Sequence, residues 1–115
     1  MTLFEQALMM HLIGDWLLQN DWMVRHKFDL RHPAAWIHGG IHGVLLGLIF
    51  GWLGGLVLGL SHVLIDTRIP GRWWGRLIGQ TQTGEMSVHV DIWRDQVLHI
   101  GMIALWSIVR LHLGR

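Results

Sequence analysis

Apolar residues fill most of this chain, and the polar residues that interrupt them fall at steps of four. From Thr2 to Asn20 the segment is apolar around a stripe of His11, Asp15 and Gln19. Steps of four stack side chains on one helical face, one turn apart, so a first helix is expected over residues 2–20. A polar, basic stretch follows from Asp21 to His32. Pro33, well suited to a first helical turn, opens a second helix over 33–50. A third is expected over 53–67 and a fourth over 87–113, with Ser87 as its N-cap. Gln80 to Ser87 reads as a polar loop.

The stripes carry a repeated pair. His11/Asp15, His38/His42, His62/Asp66 and Asp95/His99 each set two metal-capable side chains four residues apart, one pair per expected helix. If residues 33–67 made one continuous helix, His42 and His62 would lie ~30 Å apart at 1.5 Å per residue. A turn within Gly51-Trp52-Leu53-Gly54-Gly55 brings them to similar depth and sets His38 near Asp66. Glycine also recurs every fourth residue from Gly39 to Gly59. Such a small-residue ladder lets helix backbones approach closely, and it offers a surface for self-association.

Composition selects the class. With 51% hydrophobic residues, 15% charged and eight Trp in 115 residues, the expectation is an all-α, polytopic membrane four-helix bundle forming a single domain over 1–115. The first and third helices are shorter than the roughly 20 apolar residues a full span takes. Seven of the nine Lys/Arg residues fall in two places: Arg25, Lys27 and Arg31, then Arg68, Arg72, Arg76 and Arg94. In a four-span topology these share a side, which the positive-inside rule makes cytoplasmic. The termini then face out, and the paired residues lie in the cytoplasmic half, as in a bacterial inner-membrane protein. The Trp and Arg residues of Arg68–Arg76 suit a membrane interface. The amino terminus lacks the basic region and cleavage site of a signal peptide and is expected to be mature protein. No basic stripe marks a nucleic-acid partner.

No Cys is present, which excludes disulfides, thiolate metal sites and cysteine nucleophiles. An Asp at the centre of a membrane helix costs ~2.5–3.5 kcal/mol on insertion scales. Metal coordination offsets that cost, so His11, Asp15, His38, His42, His62, Asp66, Asp95 and His99 are the candidate ligands. Eight exceed what one tetrahedral ion takes and suit two divalent transition-metal ions. Mixed N/O ligation fits Zn first, then Mn or Fe. A carboxylate left off the metal, Asp15 or Asp91, is the expected general base. Gln19 and Gln96 neighbour the site, while Lys27 and Arg31 are candidates to attract an anionic substrate. His26, His32, His89 and His112 fall outside the pattern.

The ordered set His11-Leu-Ile-Gly-Asp15-Trp-Leu-Leu-Gln19-Asn, Lys27, His38/His42, His62-Val-Leu-Ile-Asp66 and Asp95-Gln96-Val-Leu-His99 resembles the small bacterial and phage membrane proteins of domain of unknown function 3307. The resemblance covers nearly the whole chain and implies a membrane protein with this set of residues, but carries no activity. More loosely, the pairing is similar to that of membrane-bound metal-dependent hydrolases. The expected function is accordingly a membrane-embedded metal-dependent hydrolase of a phosphoester or lipid-linked substrate, with the bilayer as partner. A metal-ion carrier and a structural metal staple in a membrane interaction protein are the alternatives. A cleft beside the ligands favours the enzyme; a closed site favours the staple.

Overall fold

The computed structural model describes residues 1–80 and 84–113, which form helices and turns and no strand. In chain order the helices are α1 (Leu3–Trp16), α2 (Asp21–His26), α3 (Pro33–Phe50), α4 (Trp52–Asp66), α5 (Ile69–Ile78) and α6 (Glu85–His112). Thr2 caps α1 by accepting the Glu5 amide. This helix ends at Trp16 and does not reach Asn20, because Asn20 caps the next one: its Oδ1 accepts the Met23 amide at 2.9 Å. With Asp21 in its first turn and Arg25 and His26 in its last, α2 complements its own dipole. The basic segment after Thr67 is also helical, started by Pro70 and closed by Gly79 at φ 83. The last helix starts at Glu85 instead of Ser87. Gly84 takes the N-cap position, and Ser87 Oγ donates to the Gly84 carbonyl and caps no amide. Residues 81–83 of the expected loop lie outside the described residues.

One residue, Gly51, both ends α3 and begins α4. Its φ of 88 belongs to a region where an L side chain is strained. Arg110 of α6 donates to the Phe50 carbonyl beside this turn, satisfying a group that a helix end leaves open. The glycine ladder then sets the spacing of the hairpin. A Cβ on Gly55 would stand 2.5 Å from the Gly43 carbonyl oxygen, and one on Gly59 would stand 3.0 Å from Gly43 Cα. The ladder is thus occupied within the chain, where α3 and α4 make the most extensive contact of the fold.

Each long helix contributes one buried stripe at steps of four. These are Ala7, His11 and Asp15 on α1; His38, His42, Leu46 and Phe50 on α3; Leu58, His62 and Asp66 on α4; and Asp95, His99 and Ile103 on α6. Stacked together, they make a layered core. Ala7, Leu46, Leu58 and Ile103 join Phe50 in an apolar cluster at one end. His11, His42, His62 and His99 come next, with ring centroids 3.6 Å apart for His42–His62 and 4.0 Å for His62–His99. Asp15, His38, Asp66 and Asp95 lie beyond them, toward the connections that carry α2 and α5.

The outside inverts this pattern. Val44, Leu48, Leu56, Leu60, Leu64, Trp93, Val97 and Leu105 are exposed, while all eight ionisable residues of the stripes are buried. Among the described residues one helix, Pro33–Phe50, is long and apolar enough to cross a membrane, with mean hydropathy 1.4; Trp52–Asp66 and Ile69–Ile78 qualify together only as a span bent by 61°. At 1.5 Å per residue α1 and α4 are ~21–23 Å long, less than the ~30 Å of hydrocarbon in a bilayer. Of the four-span topology expected, with its first and third helices short, one helix meets the length and hydropathy of a span among the described residues, or two if the bent pair is counted.

Candidate metal centre

Two i,i+4 stripes facing one another across the α3–α4 hairpin bring His38 Nε2 and His62 Nε2 within 3.0 Å. Gly14 opens the room that α1 needs to join them, since a Cβ there would meet the His42 ring at 2.6 Å. The next residue, Asp15, then reaches His42 Nε2 at 2.9 Å and His38 Nε2 at 3.2 Å through Oδ1. On the other side Asp66 lies 3.0 Å from His62 Nε2 and 3.0 Å from His99 Nε2, using its two oxygens. Every one of these imidazoles turns Nε2 inward.

Two groups of ligand atoms result, Asp15/His38/His42/His62 and His62/Asp66/His99, each with its atoms within 4.8 Å of one another. Ligands ~2.0–2.1 Å from a tetrahedral ion lie ~3.3–3.4 Å from each other. The distances from Asp15 to the three imidazoles of the first group, from 2.9 Å for His42 to 3.7 Å for His62, bracket that value. Charge points the same way. Two carboxylates are buried among neutral-capable imidazoles, and the contact from a fixed cation, Lys27 Nζ to Asp66 Oδ1, is a loose 3.8 Å. A divalent cation would balance them, so these buried His/Asp groups are able to bind a metal.

His11 and Asp95, expected among the ligands, stand just outside both groups. His11 Nε2 donates to Gln96 Oε1 at 3.0 Å, and Gln96 Nε2 donates to Asp15 Oδ2 at 3.0 Å. His11 is thereby linked to Asp15 and helps to fix it, as outer partners of metal ligands do. Asp95 comes no closer to an imidazole than 3.9 Å, to His99, and it lines a cavity instead. Asp91 does not join the cluster. One turn before Asp95, it is bonded by Arg94 and stands 3.9 Å from Arg68, because these guanidinium groups draw its carboxylate away from the stripe.

The cavity has a volume of about 240 Å³, and its polar wall is Asp15, Gln19, Lys27, Arg68, Asp95 and Gln96. Gln19, which follows α1 and is not part of it, donates to the Asp15 carbonyl at 3.0 Å. Lys27 is supplied by the turn after α2. Arg31, expected beside it, points to solvent with 95% of its side chain exposed. Arg68 was not singled out from the basic residues by its spacing. Its signal was proximity to Asp66 at the end of a helix, which becomes informative only once α5 turns away there.

Fold and site together define a class: a small all-α bundle whose core is half apolar and half an imidazole–carboxylate cluster able to bind metal. The sequence profile of the family described as "Protein of unknown function (DUF3307)" matches residues 3–113, and the chain belongs to that family. No curated protein and no solved structure matches the chain.

Proposed function

We propose that this protein is a membrane-embedded, metal-dependent hydrolase of phosphoester substrates, its cluster facing the cytoplasm and its termini outside. One observation carries the reading: the ligand cluster borders a polar cavity through Asp15, with Lys27, Arg68 and Asp95 on the same wall. A structural staple would have no use for a charged cleft beside its ion. A carrier would need polar stations further across, and the layer beneath the imidazoles is Ala7, Leu46, Leu58 and Ile103. Membrane residence is supported by the inverted burial pattern, with ionisable groups inside and Leu, Val and Trp outside.

In this reading Asp15, His38, His42 and His62 hold one ion, and Asp66 and His99 are the base of a second site. Zn fits the ligand set first, with Mn or Fe as alternatives. Ions held there would supply hydroxide at neutral pH and neutralise charge on a phosphoryl group. The chain's own residues do the rest. Lys27 and Arg68 orient the anion, and Gln96 and His11 keep Asp15 in position. Hydrolysis joins a water oxygen to phosphorus and breaks the ester P–O bond, and one water proton ends on the leaving oxygen. Asp95, buried, beside the cavity and free of close partners, is the group suited to carry that proton, in preference to Asp91.

Elemental analysis of purified protein, followed by a panel of phosphomonoesters, phosphodiesters and phospholipids, tests the reading. About two equivalents of transition metal per chain and hydrolysis of at least one phosphoester are expected. Folded protein without metal would end it, and bound metal with no hydrolysis across the panel would transfer the reading to the staple.

A further inference from the structure

We infer that the cavity beside the cluster takes the phosphate of an anionic lipid, with Lys27 and Arg68 as its cationic contacts and the lipid's apolar chains left outside. The inference rests on the phosphoester reading and narrows its substrate to a phosphate-headed amphiphile.

The two cations reach the cavity from different connections and are not satisfied there. Their nearest carboxylates are Asp66 at 3.8 Å from Lys27 and Asp91 at 3.9 Å from Arg68, both beyond hydrogen-bond length. Arg68 is held in place at a conformational penalty. Among the described residues it is the one non-glycine with positive φ, 66, at the junction where α4 gives way to α5. Left-handed backbone at a bulky residue persists where surrounding structure imposes it, and such strain gathers at ligand clamps. Nothing about the junction itself calls for arginine, since glycine would turn the chain there without strain. The guanidinium is what the position retains.

A further polar group in the wall lacks a partner. Gln19 Oε1 is buried and accepts no hydrogen bond, while its amide is committed to the Asp15 carbonyl. A small turn of the side chain toward the cavity would let it accept from a protonated phosphate oxygen. Asp95 shares the wall, and an ionised carboxylate there would repel a dianion. A monoanionic phosphate lessens that clash.

Size and rim select an amphiphile over a free or nucleotide phosphate. At about 240 Å³ the cavity is smaller than the ~300–1,000 Å³ of sites that enclose a whole drug-sized ligand. It holds a headgroup. Its remaining lining residues, Trp16, Val24 and Ile92, are apolar and are 67%, 51% and 38% exposed. Chains leaving the headgroup would pass over these side chains into the surrounding lipid.

The test is calorimetric titration of the metal-loaded full chain in neutral-detergent micelles. Three probes are used: the non-hydrolysable phosphonate of dioctanoyl phosphatidic acid, inorganic phosphate and dioctanoylglycerol. The phosphonate lipid is expected to bind at least about tenfold tighter than inorganic phosphate, and the diglyceride to show no saturable binding. Arg68→Gly relieves the backbone and removes only the guanidinium. It should weaken lipid binding about tenfold or more, with metal content unchanged and the unfolding midpoint equal or higher. Lys27→Met should weaken it as well. Equal affinity for inorganic phosphate would overturn the lipid assignment. Unchanged binding in Arg68→Gly, or no anion binding by metal-loaded protein, would overturn the cavity assignment and leave the hydrolase reading standing. Saturable, Arg68-dependent lipid binding by protein that purifies without metal would reverse that outcome, retaining the site and removing the hydrolase.

Discussion

The two ends of the bundle core are built on the same backbone register and carry opposite chemistry. Leu58 and His62 are one turn apart on α4, as are Ile103 and His99 on α6, Leu46 and His42 on α3, and Ala7 and His11 on α1; all eight are buried. Helix geometry treats the two layers alike. The apolar layer gains from close packing, and the imidazole layer has to satisfy nitrogens and balance charge. Stability and chemistry are therefore separable by a single helical turn. Substitutions on either side of that boundary should fail in different ways.

The largest effect is expected from His62→Ala. His62 belongs to both ligand groups, so its loss should lower metal affinity by more than the ~10–100-fold seen when an outer-shell partner of a ligand is removed. Bound metal by elemental analysis should fall and hydrolysis should disappear. Retention of the wild-type metal load would break the comparison outright. Asp95→Asn comes next. It keeps the shape and removes the proton carrier, so the rate should drop ~10²–10⁴-fold while metal content holds. A matched loss of metal would make Asp95 a ligand after all. Leu58→Ala, one turn from His62, should do the reverse. Unfolding should become easier by about 2 kcal/mol, the low end for a buried leucine. Metal per folded chain should not change in an equilibrium unfolding series. Arg31→Ala, on a side chain that is 95% exposed, should alter neither stability nor rate and serves as the baseline for both assays.

The sequence revealed convergence better than it revealed the surroundings. Steps of four fix which side chains share a face, and the need for His42 and His62 to meet required a turn near Gly51. Both follow from local geometry. The outcome for Asp91 did not, because periodicity places it one turn from Asp95 and cannot show that Arg94 and Arg68 hold its carboxylate elsewhere. The same limit hid α5. Its two glycines and a proline disfavour a helix, yet Gly75 is where Arg94 lies across the backbone, with Nη1 2.7 Å from where a Cβ would be. That contact comes from a different helix. Helix one looked longer than it is for a related reason: Asn20 reads as the end of one element until its side chain is seen to start another. Four membrane helices were expected, and among the described residues one meets the criterion alone, because α1 and α4 are only 14 and 15 residues long and the polar residues of the 28-residue α6 lower its mean hydropathy.

His62 stands at the junction of the two ligand groups, and its Nε2 offers a single lone pair. It can be donated to one cation at a time, so the groups compete for it even though they adjoin. Occupancy should therefore build in two unequal stages. The first equivalent would take His62 and bind tightly, and the second would settle for Asp66, His99 and whatever solvent or substrate oxygen completes its sphere. A protein arranged this way would carry one permanent ion and exchange the other, which makes the availability of the second a natural point of control.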